Sequence, residues 1–220
     1  MVTIVLPANV RRNPSKLSLL IDELPSDVVW AVQYNVNMIY PGIVFMQDMG
    51  ALLDAGIEPE NIVVTLDHEA VNELTFVQYL RKTYKASRVV KKLGLQIAAK
   101  GLYGLGLRRF PIPLRISIML RACSLDWLTP SYYWHYGDND VRGMATDADI
   151  AFQNNKDFYP QVSGQMRGGG ELLNDWQISR VRREAEDYAD GIIVWANLDT
   201  TDSVAGILRM VNFPNHGDSQ

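Results

Sequence analysis

The chain has 220 residues, 47% of them hydrophobic and 21% charged, with a formal net charge of −4. This balance does not point to intrinsic disorder, and the length suits one domain with a sizeable core or two small ones. A net negative charge without a run of basic residues excludes general attraction to nucleic acid, and no apolar segment reaches the ~18 residues that span a membrane.

The first predicted element is a β-branched, apolar strand over 2–8. Ser15 then stands as a candidate N-cap, and Leu17, Leu20, Ile21 and Leu24 follow at helical spacing until Pro25 stops the run. A strand is predicted over 28–34, a helix over 42–57 with Gly56 as terminator, and a strand over 61–67. The clearest helix is 72–94. In it Leu74, Val77, Leu80, Tyr84, Val89 and Leu93 recur every three or four residues, and the basic residues from Arg81 to Lys92 form a solvated face.

A strand over 95–100 follows, then an apolar run over 113–125 in which Pro113 near the start favours a helix. "ISIMLRACSL" surrounds Cys123, the one cysteine of the chain; its apolar setting predicts a buried, inert thiol and no intramolecular disulfide. A strand over 126–132 runs into the aromatic loop "SYYWHY". A short helix over 146–157, a strand over 158–164, the glycine-rich "RGGGE", a helix over 175–190 and a strand over 191–198 complete the pattern.

Seven strands thus alternate with helices, the pattern of an α/β protein with a parallel sheet. The expected fold is a compact (β/α)8 TIM-type barrel, with an eighth strand sought in "NVNMIY" or "YGLGLRRF". The alternative is a doubly wound α/β sheet. The loop after the first strand, "PANVRRNPS", contains no glycine, so it carries no phosphate-binding fingerprint. No linker or repeat divides the sequence, and the expectation is one barrel domain over 1–220 with a C-terminal tail from about 204 to 220. The N-terminus lacks the basic start and long apolar core of a signal peptide, so cytoplasmic synthesis is expected, with the final location open. A phage or bacterial protein released by another route has the same kind of N-terminus.

Barrel chemistry sits at the C-terminal ends of strands. In this sequence those ends carry polar or aromatic residues: Gln33 with Tyr34 and Asn35, Asp67 with Glu69, Tyr132 with Tyr133 and Trp134, Gln161, and Trp195 with Asp199. Asp67 and Glu69 stand two apart, so on a strand they share a side, ~6.5–7 Å apart at Cα. Two carboxyl groups in one pocket repel, and one keeps its proton at neutral pH. That pairing supplies a general acid beside an ionised neighbour, as glycosidic cleavage requires. Against this stands a plainer structural role, with Asp67 capping a turn and Glu69 solvated. His68 and His135 lack metal-ligand spacing, no nucleophile elbow is present, and Lys100 is read as solvated; no metal or cofactor is expected.

The stretch "DGIIVWANLDTTD" (190–202) resembles the last barrel strand of the chitinase-type glycoside hydrolases of family 18, and "LDHE" resembles that family's Asp-x-Glu strand end. Family-25 muramidases are similar more distantly, through an Asp-x-Glu pair on a barrel strand. The two segments amount to about 20 residues. The chain departs from the longer chitinase motif, having Val63 and Thr65 where further aspartates stand, and its pair falls on the third predicted strand instead of the fourth.

The resemblance implies a glycoside hydrolase-like barrel acting on an N-acetylhexosamine-containing glycan. Glu69 would donate the proton, Asp67 would orient an acetamido group or stabilise developing charge, and Trp195 would stack on a sugar face. Tyr132, Tyr133 and Trp134 would stack or position the acetamido group. Gln33, Gln161 and Asp199 complete the expected binding residues. The alternative is a non-catalytic barrel that acts as a structural, assembly or binding module for a protein partner, such as a virion or cell-surface component. The oligomeric state is open.

Overall fold

The computed structural model describes residues 2–6, 8–24, 28–39, 42–67, 74–99, 112–132, 141–163 and 174–195. In chain order these form β1 (Val2–Leu6), α1 (Ala8–Arg11), α2 (Pro14–Glu23), β2 (Val29–Asn35), α3 (Val36–Ile39), α4 (Ile43–Asp54) and β3 (Ile62–Asp67). The order continues with α5 (Phe76–Lys92), β4 (Gln96–Ala99), α6 (Ile112–Ala122), β5 (Trp127–Leu128), β6 (Ser131–Tyr132) and α7 (Val141–Gln153). It ends with β7 (Asp157–Phe158), β8 (Gln161–Ser163), α8 (Asp175–Tyr188) and β9 (Ile192–Trp195).

Every strand pairing is parallel, in the order β6-β8-β9-β1-β2-β3-β4-β5-β7. β5 and β6 are two pieces of one line, broken at Pro130, and β7 and β8 are two pieces of another, broken at Pro160. Proline lacks the N–H that a ladder needs. Backbone bonds nevertheless carry the sheet across both breaks. Tyr159 N–H donates to the Leu128 carbonyl at 3.0 Å, Gln161 N–H to that of Pro130 at 2.8 Å, and Ile193 N–H to that of Pro160 at 3.0 Å. Seven strand lines therefore return on themselves, with helices between them: a partial barrel of the (β/α)8 type. The eighth strand sought in "NVNMIY" is not one, since residues 36–39 form α3; "YGLGLRRF" lies outside the described residues.

The helices start where local chemistry stops the backbone from wandering. Asn13 caps α2, its side chain accepting from Lys16 N–H at 3.2 Å, and Pro14 fills the first turn, so the cap is two residues before the expected Ser15. Thr75 opens α5 with a reciprocal capping box to Gln78. The stripe that α5 buries is Phe76, Tyr79, Thr83, Ala86, Ser87 and Val90. Val77 and Tyr84, expected in that stripe, are 54% and 46% exposed. Val77 and Tyr84 rest on the flank, while the small Ala86 and Ser87 are buried in the second half of the stripe. Gly56 and Gly94 both adopt positive φ just past the ends of α4 and α5. Cys123 is buried behind α6, and burial pushes its thiol up to about 12.

Two apolar layers result. Alternate strand residues (Ile4, Leu6, Trp30, Val32, Ile62, Val64, Leu66, Ile97, Ile192 and Val194) join the helices in the outer core. The others, Val5, Val29, Ala31, Val63, Ala98, Trp127 and Ile193, form a separate cluster with Tyr159, which lies between β7 and β8: the inside of the barrel.

A charged network is built into the outer layer. Arg11 and Asp48 are only 4% and 3% exposed. Arg11 donates Nε–H to Asp48 Oδ2 at 2.8 Å and an Nη1 proton to the Leu6 carbonyl at 3.1 Å, and its guanidinium lies 4.4 Å from the centre of the Tyr34 ring. Arg12 adds two bonds to the same carboxylate, at 2.7 and 3.0 Å, and Tyr34 O–H donates to it at 2.6 Å. Burial opposes the charge on Asp48, but the hydrogen bonds from Arg12, Tyr34 and Arg11 outweigh it and hold the carboxyl at about 2.

Asp48→Ala strands a buried guanidinium, and the expected loss is about 3–5 kcal/mol in denaturant unfolding. The folded-state pKa of Asp48 is depressed, so its stabilisation is complete above the unfolded carboxylate value of ~4 and disappears as pH falls toward 2. Acid unfolding of the wild type is therefore expected to steepen in that window, and Asp48→Asn to flatten it. Equal acid profiles for the two proteins would contradict the network.

Candidate functional site at the carboxyl end of the barrel

Parallel strands end together, so the last residues of β2, β3, β8 and β9 surround one mouth. The register fixes which residues are neighbours there. Gln33 lies beside Thr65 and Asn35 beside Asp67 across β2–β3, and Gln161 lies beside Ile193 and Ser163 beside Trp195 across β8–β9. Positions 33, 35, 65 and 67 have the same parity as Ala31 and Val63, which line the barrel interior. Position 195 has the parity of Ile193, and position 161 that of Tyr159. Asp67 and Trp195 are the last residues of β3 and β9. β9 and β3 are three steps apart through β1 and β2, ~14 Å along the wall at ~4.8 Å per step.

Across β6–β8, Ser131 pairs with Gln161 and Tyr132 with Val162. Glu69, Tyr133, Trp134 and Asp199 lie outside the described residues.

The inner wall itself is polar in places. Thr3, Thr65 and Gln161 are fully buried, and Gln33 and Asn35 are half-buried. The Thr3 and Thr65 hydroxyls have no hydrogen-bond partner among the described residues. Lower in the barrel the Trp127 and Tyr159 rings stack with centroids 4.1 Å apart and fill the interior. Burial, then the nearby Asp157 and Asp190, push the Tyr159 hydroxyl up to about 12. Asp190 precedes β9, so this end of the barrel is the one opposite the mouth. Among the described residues no group of His, Cys, Asp or Glu is arranged to hold a metal ion, and no helix is long and apolar enough to cross a membrane. A groove of about 430 Å³ lies apart from the mouth, between α2 and α4, lined by Arg12, Leu17, Ile21, Ala51 and Asp54 among others.

Sequence spacing paired Asp67 with Glu69 along one strand. The structure adds the cross-strand pairs Gln33–Thr65 and Asn35–Asp67 on β2 and β3. The signal for them was present: "AVQYN" and "VTLD" both alternate, and aligning the two alternations puts Gln33, Asn35, Thr65 and Asp67 on one face.

No protein-family model matches the chain, and no curated protein matches it. Solved structures do. The catalytic domain of a mannanase from Streptomyces sp. SirexAA-E superposes with a TM-score of 0.56 at 12% identity, covering 96% of this chain and 75% of that one. A GH18 chitinase from Pseudoalteromonas aurantia gives 0.51 at 10% identity, covering 83% and 76%. The Bacillus subtilis YkuI protein, with an EAL domain and in complex with c-di-GMP and calcium, also gives 0.51, at 14% identity. The match covers 84% of this chain and only 40% of YkuI. At these identities the likeness shows the barrel fold alone.

Thr65→Val removes a buried hydroxyl without a partner among the described residues and keeps the side chain's shape. Thermal unfolding is expected to give unchanged stability or a gain of about 1 kcal/mol. A loss above 1 kcal/mol would mean that the hydroxyl is bonded in the folded chain.

Proposed function

We propose that the carboxyl-end mouth of this barrel binds and cleaves an N-acetylhexosamine-containing glycan, with a strand-end carboxylate pair as acid catalyst. One observation carries the proposal: the register that pairs Asp67, the last residue of β3, with Asn35 of β2, while β9 ends at Trp195 beside Ser163 at the same end of the barrel. The barrels of the mannanase and the chitinase are consistent with it at the level of fold.

In this mechanism Glu69, two residues beyond Asp67, protonates the leaving glycosidic oxygen. Asp67 stays ionised. Its negative charge disfavours ionisation of Glu69, which keeps the proton available, and then stabilises positive charge developing on the sugar or orients its acetamido group. Trp195 offers a flat apolar ring to the C–H face of a pyranose. Tyr133 and Trp134 extend the aromatic surface, Gln33 and Gln161 supply amide contacts from two walls, and Asp199 adds an acceptor beyond β9. Family-25 muramidase-like action on peptidoglycan belongs to the same chemical class.

Glu69→Gln keeps the shape and removes the acid. Hydrolysis of chitin oligomers or peptidoglycan fragments is expected to fall by about 100-fold or more, with sugar affinity and the unfolding midpoint unchanged. An unchanged rate would sink the assignment.

A second reading, a non-catalytic assembly or binding module with a protein partner, is favoured by one feature. Met38, Ile43, Val44 and Met46 are all exposed on α3 and α4, which makes an apolar surface beside the mouth. Absence of turnover by the wild-type chain on every glycan of a panel would select this reading.

A further inference from the structure

We infer that the outward face of α4 binds the same face of a second copy of this chain, as an antiparallel helix pair related by a twofold axis at the level of residue 48. The inference goes beyond the glycan reading and does not rest on it.

Ile43, Met46, Gly50 and Leu53 recur at intervals of three and four residues, so they form one stripe along α4. The stripe faces away from the barrel. Phe45, Asp48, Met49 and Leu52 are buried on the opposite side of the helix, whereas Ile43, Met46 and Leu53 are 75%, 47% and 41% exposed. Single exposed aliphatic residues are ordinary on a protein surface. Three of them in heptad spacing on one helix make the kind of seam that a second helix covers.

Gly50 is a separate observation. Glycine is a poor helix former, and nothing within the single chain calls for it. It lies in the middle of α4 and not at a left-handed turn, and a Cβ there would meet no described atom within 4 Å. The bare backbone leaves a notch in the stripe, where a neighbouring helix can approach closely.

The stripe is complementary to itself. A twofold axis at the level of residue 48 sets Ile43 against the partner's Leu53, and Met46 against the partner's Gly50. The flexible Met46 thioether then fills the notch, and the symmetry makes each contact twice. The same axis brings Asp54, the last residue of α4, against the partner's Gly42, its N-cap. That helix start has no side-chain cap and no acidic residue in its first turn. A carboxylate arriving there accepts from the free N–H groups and complements the helix dipole. Each copy thus supplies the anion that the other's α4 lacks. The two barrel axes run opposite ways in such a pair, so neither mouth is covered.

The test is sedimentation equilibrium of the full-length chain over about 1–500 μM, because one helix seam is a small interface and its dimer a weak one. The wild type is expected to pass from monomer to dimer within that range. Gly50→Leu fills the notch and Met46→Lys puts a charge in the seam. Each is expected to weaken association by about 10-fold or more, with the unfolding midpoint at the lowest concentration unchanged. Asp54→Lys is expected to act in opposite directions: a cation favours its own helix end, so the monomer gains stability, while association weakens, and weakens less at high salt. A wild type that stays monomeric throughout overturns the inference. So does a dimer that Gly50→Leu and Met46→Lys leave at full strength, and unaltered association of Asp54→Lys overturns the antiparallel arrangement. No arm reads glycan turnover, so failure of the proposed function leaves the result standing.

Discussion

A parallel strand closed into a ring has no side that faces water, so every residue along it must satisfy one of two interiors. The outer interior is shared with helices and accepts large aliphatic groups such as Ile4, Leu66 and Ile97. The inner one is narrow. Seven strand lines leave room for Ala31, Ala98, Val5 and Val63, and for one aromatic pair, Trp127 with Tyr159. Alternation therefore does more than sort apolar from polar side chains. It decides which strand-end residues open into the mouth and which pack against a helix, and the difference between half-buried Gln33 and Tyr34, which is bonded outward to Asp48, shows how sharply one residue step divides them.

The outer layer also governs the mouth. The buried carboxylate of Asp48 gathers Arg11, Arg12 and Tyr34, and Arg11 reaches on to the carbonyl of Leu6. Leu6 ends β1 and Tyr34 stands next to the end of β2. One ionic cluster thus ties the ends of two neighbouring strands to α4, directly behind Asn35. A second tie works at the other end of the barrel, where Lys91 pairs with Asp126 and Asp126 accepts from the Ile97 N–H at 2.9 Å. The Arg11–Asp48 tie is the costly one to break, because both of its members are removed from water.

Much of this was legible in the residues. Seven strands were readable because parallel strands buried on both faces are runs of Val, Ile and Ala, and the helices between them end at Gly56 and Gly94. The burial of Cys123 followed from its apolar flanks. What escaped was phase and pairing. In α5 the apolar residues Val77 and Tyr84 mark the flank, because close packing selected Thr83, Ala86 and Ser87 for contact, and a pattern of hydrophobicity cannot see size. The split of two strands at Pro130 and Pro160 leaves no trace in periodicity. The Arg11–Asp48 contact joins residues 37 apart in sequence and has no local signal. At the mouth, strands read alone show Asn35 at one end and Asp67 at another, whereas their pairing needs the register between two strands. Glu69, Tyr133, Trp134 and Asp199 lie outside the described residues, so their part remains with the proposal.

Mapping a titration with an N-acetylglucosamine oligosaccharide by two-dimensional NMR tests the central claim most directly. The account predicts perturbed signals from Gln33, Asn35, Thr65, Gln161 and the end of β9, all on the inner wall at the carboxyl end. Perturbations confined to the groove between α2 and α4, or to the apolar surface of Ile43 and Met46, would contradict it, as would a spectrum that saturating sugar leaves unchanged.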